Sequence, residues 1–153
     1  MLNRLRTYVS LSARDKLLVC EAIAMLSWGW FVVRVLGVRR YSSHLGTQLP
    51  GEYYDTTPQD ETRLRKVRWS ITVSNRLFFG KFNCLMLGIA GKAMLNRRGV
   101  SNTLVLGTRL TREGAEDGPN TFKAHAWLWA GQKIMLGGEV RSEYVPITSY
   151  HSG

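Results

Sequence analysis

Cysteine, histidine and acidic residues are the scarce components of this 153-residue chain. The two cysteines, Cys20 and Cys84, lie in segments of very different character, so no disulfide framework is expected and a reducing, cytoplasmic compartment is favoured. The three histidines, His44, His125 and His151, lie far apart, and neither cysteine has a second one nearby. No Cys/His cluster has metal-ligand spacing, which argues against a zinc site, and no cofactor is expected.

The charge balance is strongly basic. Only 11 Asp and Glu residues stand against 21 Lys and Arg residues, which gives a formal net charge of +10. This excess favours an anionic partner, but charge alone does not choose among nucleic acid, a membrane surface and an acidic peptide. Because 44% of the residues are hydrophobic, the chain has the composition of one globular domain and not of a disordered protein.

The amino-terminal part predicts one long helix, from about residue 13 to residue 36. Ser12 and Asp15 resemble a capping box, and apolar residues then recur at spacings of three and four. The centre of this helix, residues 17–33, is at the lower limit of length for a membrane span, so a buried helix of a soluble protein is favoured over insertion. Cys20 lies inside the apolar run and is interpreted as a core residue.

A loop and two further helices follow. Residues 39–57 lack periodicity and contain turn-forming residues, which predicts a loop. The next helix begins near residue 57 and carries a basic face over residues 63–68, usually a solvated face and otherwise a surface for an acidic partner. Asn83 is a good cap for another helix over residues 84–98. Its two internal glycines suggest close backbone packing.

The carboxy-terminal part predicts strands. Residues 103–110 and 121–130 are rich in strand-forming residues, a polar loop over 112–120 separates them, and a tight turn leads to a third strand at 133–136. Helices followed by an antiparallel sheet give an α+β architecture, and we expect the chemistry where the two parts meet.

Two residues in these elements have the chemistry of a nucleophile and its base. Cys84 begins a helix, where unpaired backbone N–H groups and the helix dipole stabilise the nucleophilic thiolate. A nearby base is still needed to complete the activation. His125 is the only histidine within a predicted regular element, and a strand packed on the Cys84 helix would bring its imidazole to the sulfur. Alone, this remains a weak motif.

Five segments of the chain form a recognisable set. In order they are Asn83-Cys84-Leu85, Leu95-Asn96-Arg97-Arg98-Gly99-Val100, Leu104-Val105-Leu106-Gly107-Thr108-Arg109, Phe122-Lys123-Ala124-His125-Ala126-Trp127 and Glu143-Tyr144-Val145-Pro146-Ile147. Together they resemble the leader peptidases of lasso-peptide biosynthesis, which are transglutaminase-like cysteine proteases. The specific parts surround Cys84 and His125, and the similarity extends to the amino-terminal helix.

The resemblance implies a papain-like or transglutaminase-like core over residues 61–153, with the Cys84 helix packed on an antiparallel sheet. Residues 1–60 would form a helix and loop that pack on or dock to this core within one compact domain. The activity implied is removal of the leader from a ribosomally made precursor peptide. The partners implied are a separate leader-recognition protein, because no fused recognition domain is evident, and an ATP-dependent lasso cyclase.

The resemblance assigns Cys84 as the nucleophile and His125 as the base, and it leaves the third member of the triad open. The family usually places an Asp about a dozen residues after the histidine, where this chain has none. Glu139 is the nearest carboxylate, and a backbone carbonyl or no orienting group at all are the alternatives. We expect Asn83 and Trp127 to contribute to substrate binding beside the catalytic pair.

Two other classes of function compete with this prediction. A basic nucleic-acid-binding module is compatible with the net charge, but the basic residues are scattered and no aromatic-interleaved stacking motif is present. A membrane-peripheral scaffold would use the helix over residues 13–36. We therefore expect a peptide substrate and no nucleic acid, with peripheral membrane contact left open.

Overall fold

The computed structural model describes residues 12–110 and 122–153, so the polar loop predicted over 112–120 lies outside the described residues. The described elements are helices followed by strands, as the sequence predicts. In chain order they are α1 (Ala13–Phe31) with a π-helical turn (Val32–Leu36), α2 (Val38–Tyr41), a 3₁₀ turn (Ser42–His44), β1 (Thr47–Pro50), α3 (Glu61–Leu77), α4 (Cys84–Asn96), β2 (Asn102–Leu110), β3 (Phe122–Ala130), β4 (Lys133–Leu136), a second 3₁₀ turn (Arg141–Glu143) and β5 (Val145–Ser152).

Helix α1 begins where the capping box predicts. The Oγ of Ser12 accepts a hydrogen bond from the backbone N–H of Asp15 at 3.2 Å. The helix and its π-helical turn are together long and apolar enough to cross a membrane by length and composition, and 28% of their most apolar stretch is buried within the fold. The helix is thus buried along one side only.

The packed side of α1 is marked by its completely buried residues. Val19, Ala22 and Leu26 are completely buried, whereas Trp28 is 40% exposed. Cys20 is also exposed, and the prediction that it belongs to the core is wrong. A residue directly after Val19 lies about 100° around the helix from it, so an apolar neighbourhood in sequence does not place Cys20 on the packed side.

Helices α3 and α4 both begin at side-chain caps. Asp60 accepts hydrogen bonds from the backbone N–H groups of the first turn of α3, so this helix begins a few residues later than predicted. Asn83 Oδ1 accepts from the backbone N–H of Met86 at 3.0 Å, which confirms the predicted cap of α4. Gly99 follows the end of α4 with a φ of +63°, a conformation that favours glycine.

Small residues and the ion pairs of Arg97 and Arg98 with Glu21 hold α4 in place. Arg98, just beyond the end of α4, donates two hydrogen bonds to the carboxylate of Glu21 on α1. Near the other end, a Cβ atom on Gly29 would lie 2.8 Å from the backbone oxygen of Met86. These two contacts show that α1 and α4 run antiparallel. The predicted close packing at the internal glycine Gly88 is against a side chain: a Cβ atom there would lie 2.6 Å from Cδ1 of Leu104 in the sheet.

The five strands form one antiparallel sheet in the order β1-β5-β2-β3-β4, and the α+β prediction is confirmed. Strand β1 falls in the segment predicted as a loop, and it pairs with β5 from Thr47 opposite His151 to Pro50 opposite Thr148. The pairing of β2 with β5 shifts register between Leu106 and Gly107. Such irregularities redirect side chains and are frequent beside active sites.

Candidate active site

Cys84 is the first residue of α4. The side chain of Asn83 accepts a hydrogen bond from the backbone N–H of Met86. The backbone N–H groups of Cys84 and Leu85 have no helical acceptors, because they lie in the first turn. The thiol is half-buried and forms no disulfide. A sulfur anion at this position would face the positive end of the helix dipole, as the sequence predicts.

His125 lies near the middle of β3, opposite Gly107 of β2. The imidazole is half-buried, and its ring centroid lies 5.0 Å from that of Tyr144 and 6.1 Å from that of Trp127. Gly107 has no side chain beside the imidazole, and a Cβ atom there would lie 2.7 Å from the Trp127 ring. The site therefore depends on glycine at position 107.

Cys84 and His125 line the same cavity, which has a volume of about 430 Å³. No hydrogen bond joins the two side chains in the part of the chain that the structure describes. Catalytic hydrogen bonds are often long or poorly aligned before substrate binds. Most of the other residues that line the cavity are small or aliphatic: Asn83, Leu85, Leu106, Gly107, Thr108, Ala124, Ala126, Ile147 and Thr148.

The imidazole of His125 is oriented by a backbone group. Its Nε2 atom lies 2.7 Å from the carbonyl oxygen of Gly137, which is twelve residues further along the chain. A carbonyl oxygen only accepts, so Nε2 carries a hydrogen and donates it. In the neutral ring, Nδ1 is then left without a hydrogen and is able to accept a proton.

The position of Gly137 leaves little room for any other residue. Its φ is +74°, and a Cβ atom would lie 2.3 Å from the carbonyl oxygen of Ala126. Glu139 is exposed and makes no hydrogen bond or ion pair with a described residue. The sequence left three alternatives for the group that orients His125: Glu139, a backbone carbonyl or no group. In the structure, the backbone carbonyl of Gly137 contacts the imidazole.

Comparison with known proteins gives one family match. A family model described as the transglutaminase-like superfamily matches residues 27–149. The chain belongs to the transglutaminase-like superfamily. The superfamily generally includes cysteine proteases and transglutaminases. No curated protein and no solved structure matches the chain.

Trp127 does not lie at the substrate-binding surface of this transglutaminase-like core, where the sequence predicts it. Its indole is completely buried and is not part of the cavity wall. The Nε1 atom donates to a carboxylate oxygen of Glu52 at 2.8 Å. A side chain with no exposed surface does not contact a substrate, so Trp127 packs beside His125 on the same face of the sheet. Asn83 does line the cavity, and its contact with substrate stays a prediction.

Glu52 joins three parts of the chain behind the site. Its carboxylate accepts hydrogen bonds from Nε1 of Trp127 and Nε1 of Trp129, each at 2.8 Å, and from the guanidinium of Arg141. Burial opposes ionisation, but the hydrogen bonds from Arg141 and the two indoles outweigh it and hold the pKa of Glu52 below its ordinary value. The carboxylate thereby fixes the strand that carries His125.

Sequence reasoning missed Glu52 because it lies in a segment without periodicity. One signal pointed to it: two tryptophans spaced by one residue on β3 present their N–H groups on the same face, and buried indoles need an acceptor. Within residues 12–110 and 122–153, no group of three or more His, Cys, Asp or Glu side chains could hold a metal ion.

Proposed function

We propose that this member of the transglutaminase-like superfamily is a cysteine peptidase that removes the leader from a ribosomally made lasso-peptide precursor. The observation that carries the proposal is that Cys84, at the start of α4, and His125, on β3, line one cavity. The family match supports the peptidase chemistry, and the resemblance of the segments around these two residues supports the substrate class.

The first chemical step forms a thioester. The Cys84 thiol transfers its proton to Nδ1 of His125, and the sulfur attacks the carbonyl carbon at the junction of leader and core peptide. The backbone N–H of Cys84 stabilises the negative oxygen of the tetrahedral intermediate. His125 then returns the proton to the leaving amine, and the freed amine becomes the amino terminus of the core peptide.

The second step releases the leader. His125 takes a proton from a water molecule, whose oxygen attacks the thioester carbonyl and displaces the Cys84 sulfur. The products are a leader with a carboxylate end and the regenerated thiol. Throughout both steps, the Gly137 carbonyl holds the Nε2–H of His125 and keeps Nδ1 available for proton transfer.

The cavity walls are compatible with a peptide substrate. Leu85, Leu106 and Ile147 supply aliphatic surface beside Cys84, and Thr148 supplies a hydroxyl. A cavity of about 430 Å³ has room for more than one side chain of the leader, a small β-branched residue among them. The leader peptidases that this chain resembles typically meet Thr immediately before the last residue of the leader.

The partners belong to the same proposal. A separate recognition protein would hold the leader, and the ATP-dependent cyclase would consume the freed core peptide. The exposed basic residues of α3, which include Arg65 and Arg68, offer a surface complementary to an acidic leader or recognition protein.

The test is an assay of leader removal with the recognition protein present. Cys84→Ala and His125→Ala should each abolish cleavage, whereas Cys20→Ala, the matched control at the other cysteine, should keep it. Mass spectrometry of the products should show a leader with a terminal carboxylate. Full cleavage by Cys84→Ala or His125→Ala would refute the assignment, and an amide product in the presence of added amines would instead indicate a transglutaminase.

A further inference from the structure

Three helix ends meet at one end of the helical layer. Because α1 and α4 run antiparallel, with Gly29 against Met86, the carboxy-terminal end of α1 lies beside the amino-terminal end of α4. The carboxy-terminal end of α3 lies there as well, because only residues 78–83 connect it to Cys84. The candidate active site is therefore at this same end of the molecule.

This end carries large apolar side chains that no described element covers. Phe79 is 80% exposed, and Trp30 is 48% exposed. Phe79 also has a φ of +56°, the only positive value among the described residues other than glycine. We call the full set the aromatic end; its exposed members are Trp28, Trp30, Phe31, Val35, Leu77, Phe78 and Phe79.

The two segments that supply the aromatic end carry basic residues and no acidic ones. Residues 22–51 and 62–112, which supply its members, contain no Asp or Glu. The basic residues nearest to it in sequence are exposed, and none of them forms an ion pair within the described part of the chain. They are Arg34, Arg39, Arg40, Arg76 and Lys81.

We propose that the aromatic end is a docking surface for an anionic phospholipid membrane. Tryptophan and phenylalanine side chains partition into the lipid interface, and arginine and lysine beside them attract acidic headgroups. Both kinds of side chain are present at this end, and acidic residues, which would repel the headgroups, are absent from both segments.

The packing of α1 indicates docking on the membrane surface and not a membrane span. Ala22 and Leu26 are completely buried in the hydrophobic core, and the carbonyl of Val19, which is also completely buried, accepts a hydrogen bond from Ser74 of α3. If α1 crossed a bilayer, these contacts would be lost and the apolar sides of α3 and α4 would be left uncovered. With α1 in place, only its carboxy-terminal turns and the α3–α4 connection reach the lipid.

The test is flotation of the full-length protein with vesicles of phosphatidylcholine, with and without phosphatidylglycerol. The protein should float with the anionic vesicles only, and high salt should weaken the binding. Phe79→Asn removes the ring and suits a positive φ, and Trp30→Gln removes the indole from the helix; each should weaken binding by about tenfold. Arg39→Gln should weaken it less.

Matched controls lie at the opposite end of the helical layer. Leu17→Gln changes a residue of α1 that is 70% exposed, and Arg65→Gln removes a charge from α3; neither should alter vesicle binding. No flotation would overturn the proposal, and so would equal effects of Leu17→Gln and Phe79→Asn. Retention after a carbonate wash would show insertion and would also overturn it. Tighter binding of a single-stranded oligonucleotide, lost in Phe79→Asn, would assign the aromatic end to nucleic acid instead.

Discussion

The Nε2 atom of His125 donates a hydrogen bond to the backbone carbonyl oxygen of Gly137, 2.7 Å away. A carbonyl fixes the ring orientation and the tautomer as a carboxylate would, but it brings no negative charge to the imidazolium that forms during the reaction. The histidine is therefore oriented by the backbone of Gly137 and not by a carboxylate side chain, and this position requires glycine.

Gly137→Ala should lower the rate of leader removal, because the added Cβ would lie 2.3 Å from the Ala126 oxygen and would displace the carbonyl from His125. The expected effect is a fall of about tenfold to a hundredfold in kcat with a smaller change in KM. Gly138→Ala is the matched control, since its φ is not in the left-handed region and a Cβ there would meet only side-chain atoms of Ile134, at 3.0 Å. Equal kcat values for the two variants would contradict the role of Gly137.

Glu139→Gln should keep wild-type turnover across the pH range, because the exposed carboxylate makes no contact with His125. Steady-state kinetics of the two proteins side by side would measure this. A large loss of kcat in Glu139→Gln would instead restore the sequence-based prediction that Glu139 orients the histidine.

The tautomer of His125 can be measured directly. In the neutral imidazole we expect the hydrogen on Nε2, because the Gly137 carbonyl accepts it. Nitrogen-15 NMR of histidine-labelled protein distinguishes the two ring nitrogens, and His125→Gln identifies the signals. A neutral imidazole with its hydrogen on Nδ1 and none on Nε2 would contradict the proposed path of the proton from Cys84.

Glu52→Gln should destabilise the protein by about 2 kcal/mol at neutral pH, because the Arg141 guanidinium loses its charged partner. The sign of the pH dependence follows from the lowered pKa of Glu52. Its stabilising contribution is present above the ordinary value of 4.5 and is lost as the pH falls through the lower value of the folded protein. Urea unfolding should therefore show a difference from wild type that shrinks in acid. Glu139→Gln should show no such difference.

Because of Lys92, the free energy of unfolding of the protein should rise as the pH is raised into the alkaline range. Its ammonium is buried and donates to Asn102 Oδ1 and to the Tyr150 carbonyl, each at 3.0 Å. Burial lowers the pKa of Lys92 to about 8, so between that value and the ordinary 10.5 the unfolded chain binds more protons. The free energy of unfolding should rise over this range by up to about 3 kcal/mol relative to Lys92→Met. A parallel pH dependence in the two proteins would contradict this account.

Local patterns in the sequence predicted the elements that carry the candidate site. The Asn83 cap and the strand-forming run around His125 are local signals, and both elements form where they are expected. Strand β1 escaped prediction because its four residues show no alternation, and it is defined by pairing with β5 about a hundred residues later.

Contacts between distant segments could not be inferred in the same way. The Gly137 carbonyl is a backbone group, and any residue type has one, so no pattern identifies it as the partner of His125. Trp127 was expected to contact the substrate. The alternation of side chains along β3 shows which residues share a face of the sheet, but not which face is covered by a distant segment of the chain. Glu52 provides that cover, 75 residues earlier in the chain.

The activation of Cys84 by its surroundings is tested most directly by alkylation with iodoacetamide at about pH 6.5, followed by mass spectrometry at both cysteines. Cys20 is the more exposed thiol and serves as the internal control. The account predicts that Cys84 reacts at least about tenfold faster than Cys20, and that His125→Ala removes this advantage. Alkylation of Cys84 no faster than that of Cys20 would contradict this activation. So would alkylation of Cys84 in His125→Ala at the wild-type rate.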